Sequence, residues 1–135
     1  MSHFTRVRTV LRDVSVLAAA LKEIGYPQVE VHERPQRLKG WGSQTAQAEV
    51  IVRRENIPGH AYGDFGFARQ PDGTFAVVID SMDSNRNGSG WLPSLTRAYG
   101  HAAALRYASE HGYDIVTDEA ESDGTRRLTL RRYVQ

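Results

Sequence analysis

Glu23-Ile24-Gly25-Tyr26 is echoed by Glu110-His111-Gly112-Tyr113, and each stands where an alanine-rich helical stretch stops and an extended stretch begins. Upstream of the first copy, Asp13 can accept from the free amides of a first helical turn. Val14, Leu17, Leu21 and Ile24 then recur at helical spacing, which predicts a helix with one apolar stripe. Gly25 supplies the left-handed residue that ends it, Tyr26 can fold back on the last turn, and Pro27 prevents continuation. Upstream of the second copy, Pro93 is tolerable only in a helix's first turn, and Ala98, Ala102 and Leu105 continue a stripe from Leu95. Tyr99, Ala103 and Tyr107 make a second stripe beside it.

The remaining segments read as strands. His3 to Leu11 alternates, with Val7, Thr9 and Leu11 opposite Arg6 and Arg8. Val29 and Val31 begin another strand, which Pro35 is expected to end. Ala46, Ala48, Val50 and Val52 share one side of a third, and their small size suggests a closely packed helix. Phe65 and Phe67, then Phe75, Val77 and Ile79, flank the turn Pro71-Asp72-Gly73 and predict a hairpin. Ile115 and Val116, the turn Ser122-Asp123-Gly124, and Leu128 with Leu130 predict a closing hairpin. Asp114, Asp118, Glu119, Glu121 and Asp123 crowd one segment and Arg126, Arg127, Arg131 and Arg132 the next, so opposite charges can face each other across the hairpin.

The expectation is a single α+β domain over residues 1–135, with a mostly antiparallel sheet of about seven strands and two helices. The echo admits two readings: a duplicated β-α-β-β unit, or two helices that happen to end the same way.

With 40% hydrophobic and 24% charged residues, the composition is that of a globular protein. There is no cysteine, hence no disulfide, thiol nucleophile or thiolate metal site. A net charge of +1 makes nucleic-acid binding through Arg126, Arg127, Arg131 and Arg132 with Arg6 and Arg8 the least favoured reading. No segment is long enough to span a bilayer and no leader precedes the first strand, so a cytoplasmic protein is expected.

Few constellations suggest chemistry. Asp83-Ser84-Asn85-Arg86-Asn87-Gly88 has oxygen side chains at the first, third and fifth places and glycine at the sixth, as a calcium loop does. The twelfth place is Ser94, where a bidentate glutamate is needed, and the loop follows a strand. The five histidines share no helical turn, so no metal site is expected. Asp64, Asp80 and Asp83 could work as a carboxylate pair, but any acidic surface yields such groupings, and they are read as one. Trp41 between two glycines, together with Arg97, Tyr99 and Tyr107, makes an aromatic and arginine surface suited to protein contact. The alternative is a small-molecule or metal-binding enzyme, or a small-molecule binding protein, using a pocket between sheet and helices with His3, Gln44 or His101 as polar groups.

Met1-Ser2-His3-Phe4-Thr5, Gly40-Trp41-Gly42-Ser43-Gln44 before an alternating strand, and the closing Arg131-Arg132-Tyr133 resemble the hypothetical chloroplast reading frame thirty-five family. The resemblance runs nearly end to end, with the loop from Ser84 to Gly90 as an insertion. That family, found in plastids, cyanobacteria and other bacteria, has no established activity. Its members' frequent neighbourhood with an AAA-type ATPase and small ferredoxin-like proteins implies a helper role in an ATP-driven complex. The resulting expectation is an accessory or adaptor protein that binds another protein and needs no cofactor.

Overall fold

The computed structural model describes residues 4–40, 45–59, 61–83, 91–123 and 125–132. In chain order the elements are β1 (Phe4–Arg8), α1 (Val14–Glu23), β2 (Glu30–Leu38), β3 (Ala46–Val52), β4 (Phe65–Arg69), β5 (Phe75–Asp80), α2 (Trp91–Glu110), β6 (Tyr113–Ala120) and β7 (Arg126–Arg132). This is the expected α+β arrangement of seven strands and two helices. The strands divide into two antiparallel sheets, one of five strands in the order β1-β5-β4-β3-β2 and one of two, β6-β7. The hairpin after α1 joins the large sheet, whereas the hairpin after α2 stands apart. What the two halves share most closely is the helix stop, with Gly25 at φ 106° and Gly112 at φ 73°.

At the first stop the Tyr26 amide donates to Leu21 O (2.8 Å) and the Gly25 amide to Lys22 O (3.2 Å), which satisfies the orphan carbonyls of the last turn. Asp13 caps the other end by accepting from the Ser15 and Val16 amides. Leu17, Ala20 and Leu21 of α1 then meet Val50, Val52, Phe65, Phe67, Phe75 and Val77 of the sheet, and Leu95 and Ala98 of α2, in one core. Trp91 completes it edge-on to Phe65 (5.4 Å between ring centroids), and its indole donates to the Tyr26 hydroxyl (2.9 Å).

Two strand expectations need correction. Pro35 does not end β2, which runs on to Leu38; the pairing with β3 shifts register between Val31 and Gln36, and that irregularity holds the proline. An edge strand tolerates a residue without an N–H, and β2 is an edge. Ala46 and Ala48 do not face a helix. They join Leu38, Ile51, Ala68 and Val78 in a second cluster on the opposite face of the sheet. A Cβ on Gly66 would lie 2.6 Å from Leu38 Cδ1 and 2.8 Å from Ala48 Cβ, so the small residues admit the folded-over end of β2 instead.

Candidate functional site

One face of α2 is buried against α1 and the sheet, and the hairpin β6-β7 lies along another. Leu95, Ala98, His101 and Ala108 are the buried positions; the expected stripe residues Ala102 and Leu105 are only half-buried. Buried His101 is where α1, α2, β6 and β7 meet. Its Nε2 is 2.8 Å from Asp118 Oδ2, and its Nδ1 is 3.7 Å from Glu23 Oε2 with no hydrogen-bond partner. With the proton on Nε2, the imidazole donates to Asp118. Arg126 Nη2 lies 3.1 Å from the same nitrogen, which then cannot also accept, so this guanidinium serves Asp118 Oδ1 (3.1 Å). Arg126 Nη1 is also 3.8 Å from Glu23 Oε1. The hydrogen bond from His101, and beyond it the Arg126 guanidinium, hold the Asp118 carboxyl below its ordinary range against a smaller opposing effect of desolvation.

At the C-terminal end of α2 three rings gather on the surface. Tyr107 and His111 stack with centroids 4.0 Å apart, and Tyr107 lies 6.2 Å from Tyr113 at an interplanar angle of 27°. The Arg132 guanidinium sits 5.9 Å from the Tyr113 ring centre. Tyr107 is 53% exposed, and Ile115 and Val116 on β6 are 46% and 50% exposed. Since Tyr113 and Ile115 pair with Arg132 and Leu130 on one face of the hairpin, rings and aliphatic side chains adjoin.

Of the residues read from the sequence as contacts, Tyr107 belongs to this patch. Tyr99 does not: its hydroxyl accepts from the Arg12 (3.2 Å) and Asp13 (2.9 Å) amides and ties α2 to the start of α1. Arg97 is exposed ten residues before Tyr107, about 15 Å along the helix. His101 is the network residue just described. Trp41, His3 and Gln44 lie outside the described residues, as does Ser84–Gly88 of the calcium-like run.

Asp64, Asp80 and Asp83 are not a surface grouping, because all three are buried. Asp64 accepts from the Lys39 and Arg54 amides (both 2.8 Å) and from Arg53 Nη1 (2.9 Å). Asp83 accepts from the Tyr62 and Gly63 amides, and Asp80 from the Met82 amide. Among the described residues no three histidine or acidic side chains are arranged to hold a metal ion. Arg126 and Arg127 of the hairpin are paired with Asp118 and Glu121, while Arg6 and Arg8 lie on β1 of the other sheet.

Sequence reasoning missed the network at His101 and the contribution of His111 and Tyr113. A signal existed for the histidine, which falls at helical spacing from Leu95 and Ala98. Nothing local links it to Glu23 or Asp118.

The chain belongs to the family described as a protein of unknown function, DUF1257, whose model matches residues 20–129. It is similar to the uncharacterised protein ycf35 of Guillardia theta, 24% identical over 98% of each chain. The ycf35 proteins of Pyropia yezoensis and Cyanophora paradoxa are 20% and 22% identical, again over 98% of each chain. No solved structure gives a significant match. None of the described helices is long and apolar enough to cross a membrane.

Proposed function

We propose that this chain is a non-enzymatic, cytoplasmic accessory protein that binds another protein through the exposed patch at the end of α2 and on β6. The observation that carries the reading is Tyr107, half-exposed yet stacked on His111 and near-parallel to the neighbouring Tyr113 ring. Stacked rings offer a large contact area and lose little rotamer freedom on binding, the property of aromatic anchors at interfaces. Ile115, on the same face of the hairpin as Tyr113, extends the apolar area, and Arg132 beside Tyr113 supplies a charged margin. The three buried aspartates, the groups most suggestive of acid-base work, are occupied by backbone amides. An AAA-type ATPase is the candidate partner on the family resemblance alone.

Capture from a lysate of the source organism, with and without ATP, tests the reading. Wild-type protein is expected to retain a defined partner that the Tyr107→Ser/Ile115→Ser variant holds roughly tenfold or more weakly. Equal retention by the two proteins, or a wild-type protein that stays solitary in both conditions, contradicts it.

A further inference from the structure

A cleft of ≈ 400 Å³ lies between the middle of α2 and the start of β7, lined by Arg97, Gly100, His101, Ala104, Arg126 and Leu128 together with Thr125. We propose that it binds a small monocarboxylate with an apolar body. Gly100, Ala104 and Leu128 make the walls, and a Cβ placed on Gly100 would meet no atom within 4 Å, so the helix surface there is open. The volume falls within the range of small-molecule sites, and a few polar groups on apolar walls are their usual composition.

The cations decide the ligand's charge. Arg126 is committed, holding Asp118 at 3.1 Å and facing Glu23. Among the described residues Arg97 has one long hydrogen bond, 3.4 Å to the Ser94 hydroxyl, and no carboxylate within ion-pair distance. A guanidinium in that state presents a planar fork that matches one carboxylate. Asp123 is near enough to feel the Arg97 charge, and its own negative charge disfavours a dianion such as a phosphomonoester. The Thr125 side chain is already engaged by Asp123, so Arg97 alone takes the carboxylate, while the apolar body rests on Leu128 and over Gly100. This site is separate from the Tyr107 patch, so either can fail while the other stands.

The test is amide chemical-shift titration of the full chain with benzoate, octanoate, acetate, benzamide and phenyl phosphate. Benzoate and octanoate are expected to give saturable shifts at Gly100 and Thr125, with acetate and benzamide weaker. Arg97→Gln should weaken the binding at least about tenfold, the scale of a charge-assisted pair. Gly100→Leu, which fills the open space from an exposed helix position, should abolish it. The proposal is overturned if millimolar benzoate and octanoate give no saturable shift, or if Arg97→Gln binds them as tightly as wild type. It is also overturned if benzamide equals benzoate, or if phenyl phosphate binds more tightly than either acid.

Discussion

Asp64 is wholly buried, and its two oxygens receive the Lys39 and Arg54 amides and the Arg53 guanidinium. Replacing it strands two backbone donors and removes one of the carboxylates facing Arg53, which also pairs with Glu30. Asp64→Ala should therefore destabilise the protein by about 3 kcal/mol or more, measured as a lowered midpoint in urea. A change under about 1 kcal/mol would refute the structural role assigned to it. Nothing in the sequence signals that role, because an aspartate between loop and strand reads the same whether solvated or enclosed. Tyr99 and Tyr107 make the same point. Helical spacing places them on one stripe, yet the Tyr99 hydroxyl reaches amides 86 and 87 positions earlier in the chain. Local pattern carries no information about such a partner.

At the scale of elements, the hairpin β6-β7 is a two-stranded sheet, and such ribbons need outside support to be stable in water. The support is the meeting of His101, Asp118, Arg126 and Glu23. Because the Asp118 carboxyl titrates lower in the folded protein than in the unfolded chain, its contribution is fully present above the unfolded value of ~3.9. It is lost as pH falls through the lower folded value. Amide shifts of Thr117 and Leu128 should thus hold steady through mild acidity and change on further acidification. In Asp118→Asn that Asp118-dependent step should be missing. An identical acid transition in wild type and variant would contradict the anchor. Helix stops and tight turns were legible, since Gly25, Gly112 and Pro71-Asp72-Gly73 act through their own backbone preferences. Which strands share a sheet was not, because pairing joins segments far apart and a strand's alternation does not name its neighbour. The same limit hid the passage of β2 through Pro35.

Over the whole molecule, the five-stranded sheet ends in β1, which carries Arg6 and Arg8, and in β2, which is interrupted by its register shift. Symmetric pairing of two β1 edges would set arginines against arginines, which discourages association through that edge. Val7, Val10, Val31 and Met82 are exposed apolar side chains outside the aromatic patch; among them Val10 is 77% exposed after β1 and Met82 48% exposed after β5. Val10 and Met82 serve as internal controls for where a partner sits. The central claim is that docking occurs at the end of α2 and on β6. It is tested most directly by placing a photo-crosslinking amino acid at position 107, 10 or 82 and illuminating the captured complex. The account predicts a partner adduct from position 107 and none from positions 10 and 82. Adducts from position 10 or 82 with none from position 107 would contradict it.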